Sequence, residues 1–267
     1  MSVIPILMYH SLSEQAAPGF RKFTLKPEIF AAHLAFLQAQ GYTTLTVARL
    51  AEIRLMHQEH LLPRKPVVLT FDDAFEDFYL SAWPLLQEYN ATASLFVATG
   101  YLDGVSQWLE ALHEGRRAII RRAQLREIAE AGIDCGSHTH THVHMDTVDE
   151  KKGRQELVIS KALLEQILGR PVTTFAYPYG HHDRRARQWV VEAGFSAACA
   201  VKNALSHTED DLHALARITI TDQTDVATLA EFLSGQRVNL AAPGEALLTK
   251  GWRQFRRVCK KFIPAYA

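Results

Sequence analysis

Two adjacent carboxylates, Asp72 and Asp73, close an apolar run in the stretch PVVLTFDDAFEDFY from Pro66 to Tyr79. Neighbouring carboxylates repel, so one of them needs a metal, a base or a proton. A helix cap beside a solvated partner accounts for the pair equally well, because Asp is a favoured N-cap. A second cluster shifts the balance towards chemistry. The run Gly136-Ser137-His138-Thr139-His140-Thr141-His142-Val143-His144 places four histidines within seven residues. Neutral imidazole is the commonest protein ligand for zinc, and one carboxylate with two histidines leaves positions open for water and substrate. The plainer reading of that tract is a solvated His-rich loop.

The elements that must position these groups follow from the patterning around them. Val67, Val68, Leu69 and Phe71 after Pro66 have the character of a strand buried on both faces of a parallel sheet. Val3 to Tyr9 reads as a first strand, Pro27 to Gln40 as a helix stopped by Gly41, and a second helix follows Thr46 through Ile53. The pattern predicts a helix from the carboxylate pair to about Glu88, a strand over Thr92 to Thr99, a helix over Ala123 to Ala131, and a strand over Ile133 to Ser137 that delivers the histidines. A long helix over Asp149 to Leu168 precedes strands at Thr173 to Tyr177, Phe195 to Val201 and Leu215 to Ile220, with a helix between Asp183 and Ala193. Gly100 to Arg122 is an insert of weak pattern whose basic run, Arg116, Arg117, Arg121 and Arg122, reads as a solvated helix face. Alternation of strands and helices implies parallel βαβ units, and about seven of them suggest a barrel with its chemistry at the C-terminal strand ends.

A third motif, Thr174-Phe175-Ala176-Tyr177-Pro178-Tyr179-Gly180, runs another strand into a Pro/Gly turn. Taken together, TFDD, HTHTH and FAYPYG in this order resemble the polysaccharide deacetylase family, also called the NodB homology domain. The resemblance extends from about Val3 to Ile220. The opening Pro5-Ile6-Leu7-Met8-Tyr9-His10 and the late Ala216-Arg217-Ile218 are similar to the branch of poly-N-acetylglucosamine and other surface-glycan deacetylases. The resemblance sharpens the barrel to a distorted (β/α)7 TIM-like one, a single α/β domain over residues 1–240; the basic, apolar-striped stretch that follows predicts a C-terminal amphipathic helix over 241–267.

The resemblance also implies roles for individual residues. Asp73, His138 and His142 match the metal ligands, with Thr139 at the hydroxyl position of the His motif; the expected ion is divalent, zinc before Fe2+ and other ions that two histidines and one carboxylate also suit. Residues four apart also converge from one helical turn, which leaves His140 and His144 outside the ligand set. Asp72 matches the general base, the backbone N–H of Tyr179 an oxyanion donor, and His10 the acid that protonates the leaving amine. The Arg that usually precedes the Pro-Tyr-Gly turn is replaced by Ala176, and the late Leu-x-x-His motif is missing. Arg217 is the candidate to orient Asp72 in that Arg's place. The implied reaction is hydrolysis of the acetamide of an N-acetylated sugar in a surface glycan or its lipid-linked precursor. A deformylase, or another small-acyl amide hydrolase on a lipid-linked aminosugar, is the alternative enzyme, and a glycan-binding module without turnover is the alternative from another class.

Composition sets the remaining bounds. The 267 residues, 48% hydrophobic and 22% charged, suit one large soluble domain, and the formal net charge of zero gives no basic field for nucleic acid. Three cysteines, Cys135, Cys199 and Cys259, are too few and too scattered for a disulfide framework. The N-terminus carries no basic leader, so a cytoplasmic location is expected. From Leu247 to Ala267 there are six basic residues and no acidic one, and Leu248, Trp252, Phe255, Cys259 and Phe262 recur at helical spacing. Such a helix reads either as a peripheral contact with the inner membrane surface or as a terminal helix packed on the barrel.

Overall fold

The computed structural model describes residues 2–242, 251 and 253–255. Eight parallel strands form one curled sheet: β1 (Ile6–Tyr9), β2 (Thr43–Leu45), β3 (Pro66–Phe71), β4 (Ser94–Val97), β5 (Asp134–Ser137), β6 (Thr174–Ala176), β7 (Ala197–Cys199) and β8 (Ile218–Thr219). Their order across the sheet is β7-β6-β5-β4-β3-β1-β8, with β2 paired to the first half of β3. The two edges meet where Leu215 bridges Cys199: Leu215 N donates to Ala198 O, and Ala200 N to Leu215 O, both at 2.9 Å. This is the curled parallel sheet expected of a distorted barrel.

Helices α1 (Pro27–Ala39), α2 (Val47–Leu55), α3 (Trp83–Glu88), α4 (Arg122–Glu130), α5 (Glu150–Leu168), α6 (Arg184–Glu192) and α7 (Val226–Leu233) connect or follow the strands. Local chemistry fixes several ends. Thr46, Asp149 and Asp183 accept from the backbone N–H three residues on, and Gly169, at φ 65°, stops α5. Alternating strand residues serve two layers. Ile6, Val68, Phe96 and Ala176 line the interior together with Val47, Leu50 and Ala51 of α2, while Leu7, Leu69, Leu95 and Phe175 pack in the larger layer with the helices. Helix α2 closes the N-terminal end of the barrel, its first N–H groups donating to Ser94 Oγ (2.8 Å) and Asp134 Oδ2 (3.2 Å) at the starts of β4 and β5.

Two expectations are corrected. The helix after the carboxylate pair starts late: Asp73 and Ala74 have φ of 74° and 55°, and a wide π turn over Phe78–Ala82 leads into α3, so neither Asp72 nor Asp73 caps it. The basic run is a solvated helix face only in part: Arg116, Arg121 and Arg122 are exposed, the last two at the start of α4, and Arg117 is the exception. Arg117 is largely buried between Asp77 (3.3 Å) and Glu114 (3.2 Å), and Arg121 and Arg122 pair with Glu76 and Asp103. Strand β2 and helix α7 were not anticipated, β2 being only three residues long. Of the apolar stripe after Leu247, only Phe255 lies within the described residues, where it is 50% exposed; the helix expected there otherwise lies outside them. Arg253, in the same stretch, donates to Asp146 Oδ2 (3.3 Å) and His182 O (3.1 Å). Among the described residues no helix is long and apolar enough to cross a membrane.

One buried histidine links the helical layer to the strand that carries His10. His33 of α1 is fully buried between the Tyr9 hydroxyl (3.2 Å) and the Thr224 carbonyl (2.9 Å). Burial lowers its pKa to about 4, although its bond to Thr224 works the other way. The native state therefore holds it neutral while the unfolded chain protonates near 6.5. Its stabilisation is complete above pH 6.5 and about 3 kcal/mol is lost as pH falls from there to 4. Thermal melts of wild type and His33→Gln should differ most at pH 7.5 and converge at pH 4.5. A gap independent of pH would contradict this.

Candidate functional site

Strand register gathers the sequence motifs at one end of the barrel. Tyr9 pairs with Phe71, Val97 with Ser137, and Ser137 with Phe175. The residues immediately after these strands, His10, Asp72 and His138, therefore rise together at the C-terminal rim, with the Pro178–Gly180 turn two residues beyond β6.

The structure brings Asp73, His138 and His142 together. All three are buried, and one ligating atom from each lies within 4.8 Å of the others. Asp73 Oδ1 stands 3.0 Å from His142 Nε2 and 3.6 Å from His138 Nε2. That oxygen is buried and has no hydrogen-bonding partner among the described residues. His138 Nδ1 donates to Ala176 O at 2.8 Å, fixing the tautomer that leaves Nε2 facing Asp73. Burial, opposed by Asp72, lowers the His138 pKa to about 4. Burial also works to raise Asp73, but His142, His10 and His138 more than offset it and hold the carboxyl at about 2. A carboxylate and a neutral imidazole are the protonation states in which such groups ligate metal. An orphaned buried oxygen aimed at two ring nitrogens therefore fits a divalent cation.

Asp72 is held differently. Arg217 NH1 donates to its Oδ1 at 2.6 Å and NH2 to its Oδ2 at 2.7 Å, a bidentate pair. Arg217 is 0% exposed and fills the barrel interior beneath the site, with Nε on Ala200 O (3.0 Å), NH1 on Thr70 Oγ1 (3.2 Å) and its guanidinium over the Phe96 ring. Burial pushes Asp72 upward, yet Arg217 and His138 hold it below the usual carboxylate range. Asp72 Oδ2 is 4.0 Å from His138 Nε2, farther than Asp73 from either imidazole. Of the two carboxylates, Asp73 faces the two imidazoles and Asp72 faces Arg217.

The remaining expected residues surround this pair. His10 packs on Phe23, and its Nδ1 is buried without a partner among the described residues. Burial lowers its pKa, and the charges of Asp73 and Asp72 act on it in the opposite sense. Tyr179 has φ 60° between Pro178 and Gly180; the residue is 44% exposed, its ring stacked on His144 at 3.9 Å and edge-on to His142 at 4.7 Å. Gly180, at φ 71°, cannot be replaced without strain, because a Cβ there would meet Val201 N at 2.7 Å. His140 turns away from the ligand set to Thr99 Oγ1 (3.0 Å). The Thr139 hydroxyl is buried and bonds to none of the described residues.

One expectation about this loop is corrected. His138 and His142 do not converge from a helical turn: the segment after β5 is irregular, with Thr139 and His142 in the left-handed region at φ 66° and 54°. The sequence reading also missed Trp108, whose ring stacks on His142 at 4.9 Å, and Glu156, whose carboxylate reaches this loop from α5. A signal for Glu156 exists in the helix pattern: Gly153, Glu156, Leu157, Ser160 and Leu164 form the buried face of α5, so a carboxylate occupies a core-facing position.

Comparison with known proteins shows the family and the fold. The sequence model of the family described as polysaccharide deacetylase matches residues 61–198, just over half the chain. YxkH of Bacillus subtilis (strain 168), provisionally named a polysaccharide deacetylase, is 26% identical over 219 residues, covering 82% of this chain and 71% of that protein. The poly-β-1,6-N-acetyl-D-glucosamine N-deacetylase of Staphylococcus aureus (strain MRSA252) is 23% identical over 211 residues, 76% of this chain and 69% of that one. The solved structure of the Streptococcus pyogenes deacetylase PplD, in complex with acetate, superposes with a TM-score of 0.75 at 24% identity, covering 87% of this chain and 98% of that one, a likeness that carries the barrel fold. The matched span contains Asp72, Asp73, His138, His142 and Tyr179, and excludes His10 and Arg217. The chain belongs to the polysaccharide deacetylase family, hydrolases acting on carbon–nitrogen bonds other than peptide bonds.

Proposed function

We propose that the chain hydrolyses the acetamide of N-acetylated glucosamine units in a surface glycan or its lipid-linked precursor, with a divalent ion, zinc by its donor set, held by Asp73, His138 and His142. The observation that carries this reading is the convergence of the three buried ligand atoms beside a separate carboxylate fixed by Arg217. Similarity to a poly-β-1,6-N-acetyl-D-glucosamine N-deacetylase supports the choice of sugar.

Bound there, the ion supplies Lewis acidity that polarises the acetamide carbonyl and lowers the pKa of water. The protein's own groups do the rest. Asp72, its two oxygens aligned by Arg217, takes the proton from the attacking water as a C–O bond forms at the carbonyl carbon. The N–H of Tyr179, on a turn fixed by Pro178 and Gly180, donates to the developing oxyanion. His10, its buried Nδ1 free of protein partners among the described residues, acts in its imidazolium form, which Asp72 and Asp73 favour against burial. It gives a proton to the amine as the C–N bond breaks and is reprotonated at the end of the cycle, when Asp72 gives up the proton taken from water. Acetate and a free amine leave. The reaction exchanges a neutral group for one that is cationic at neutral pH.

The test is product analysis on β-1,6-linked N-acetylglucosamine oligomers with zinc-loaded enzyme. Acetate released in equal amount to new amine is the expected result. Formate release from an N-formyl analogue, with no acetate from the N-acetyl oligomer, would favour a deformylase instead. Neither product from any N-acylated saccharide would refute the hydrolase reading of this site.

A further inference from the structure

The loop that carries both histidines is held from two sides by groups outside the ligand set. Thr139 and His142 adopt left-handed backbone conformations although neither is glycine, so the loop does not take this shape by local preference. On one side Thr99 N donates to Thr139 O (3.2 Å) and Gly100 N to His140 O (2.7 Å). Residue 100 has to be glycine for that approach, since a Cβ there would lie 2.7 Å from the same carbonyl oxygen. On the other side stands Glu156, 1% exposed on α5. Its Oε2 accepts from His140 N (2.8 Å) and Thr141 N (2.6 Å), and its Oε1 from Thr141 Oγ1 (2.6 Å). Lys152, one turn earlier on the same helix, balances the charge at 2.7 Å.

Two backbone N–H groups at the apex of an irregular loop would otherwise be left without partners, and a buried carboxylate satisfies both at once. The grip falls on residues 140 and 141, midway between His138 and His142. It therefore sets the separation of the two imidazoles without touching either. We infer that Glu156 is the positioning residue of the metal site: its carboxylate holds the loop in the one shape in which His138, His142 and Asp73 serve a single ion, and so sets the affinity for that ion. The inference rests on the metal reading proposed above.

The experiment compares metal-free wild type, Glu156→Ala, Glu156→Gln and Leu164→Ala. Leu164 is buried on the same helix, two turns further along, and has no place in the site. Zinc dissociation constants come from competition with a fluorescent chelator at pH 7, and amide hydrogen exchange of residues 139–142 is followed in the metal-free proteins. Removing a group that orients metal ligands typically costs 10–100-fold in affinity. Glu156→Ala should weaken zinc binding by about that factor and speed exchange across 139–142. Glu156→Gln, which keeps an acceptor for the two N–H groups, should recover most of the affinity. Leu164→Ala should melt earlier than wild type yet bind zinc as tightly. Glu156→Ala binding within twofold of wild type would overturn the inference, as would Leu164→Ala losing as much affinity as Glu156→Ala. A wild type that takes up no zinc would refute the metal reading itself, and this inference with it.

Discussion

Asp72→Asn should lower the rate of acetate release by about 10²–10⁴-fold, the usual contribution of a positioned general base, while leaving bound metal at the wild-type level. The asymmetry within the Asp-Asp pair is the reason. Asp72 gives both oxygens to Arg217, whereas Asp73 turns Oδ1 to the two imidazoles. An amide at position 72 accepts no proton at neutral pH but preserves volume, so the loss should fall on kcat rather than KM. The substitution also removes the anionic partner of a fully buried guanidinium, so the variant is assayed below its own melting temperature. If Asp72→Asn lost metal together with turnover, Asp72 would be a ligand and its assignment as base would fail.

Arg217→Met should be damaging in two ways at once. It leaves the Asp72 carboxylate buried without its bidentate partner and strips donors from Ala200 O and Thr70 Oγ1. Removing one partner of a buried ion pair typically costs about 3–5 kcal/mol, because the remaining charge stays desolvated. The base also loses the cation that holds its pKa down, so the acid limb of the pH–rate profile should move to higher pH in whatever activity survives. Arg217→Lys keeps the charge without the fork and should fall between the two. The double variant Asp72→Asn/Arg217→Met should be less destabilised than the sum of the singles, since each single leaves the other partner unmatched. Wild-type turnover in Arg217→Met would remove Arg217 from the mechanism.

Much of the site was legible because its chemistry is local in the chain. Asp72 and Asp73 directly follow a strand whose observed bounds, Pro66–Phe71, are those the β-branched run predicts. His138 and His142 likewise follow a strand end, and a parallel sheet brings such ends to one rim whatever the loops do. What the sequence hid is non-local or conformational. The Arg217–Asp72 pair spans 145 positions, so it rested on a motif's missing arginine and no pattern of its own. The histidines converge through left-handed backbone at Thr139 and His142, where spacing alone suggested a helical turn, because four-residue separation is shared by both geometries. Glu156 went unnoticed because a glutamate in a lysine- and glutamate-rich helix is normally solvated; only its place on the buried face of α5 marks it as a core group. Within the basic insert Arg117 misled for the opposite reason: it looks like surface charge in sequence, but packs over Phe20 and Phe75 between two carboxylates.

Asp73, His138 and His142 are central to the proposed reaction only if they hold one metal ion. Metal content of the purified protein after zinc incubation and desalting, measured by mass spectrometry for wild type, His138→Ala and His142→Ala, answers that. The expected result is close to one zinc per wild-type chain and a large loss in both variants, with acetate release lost in parallel. A wild type that stays empty, or variants that retain a full equivalent of zinc, would contradict the assignment of this buried triad as a metal centre.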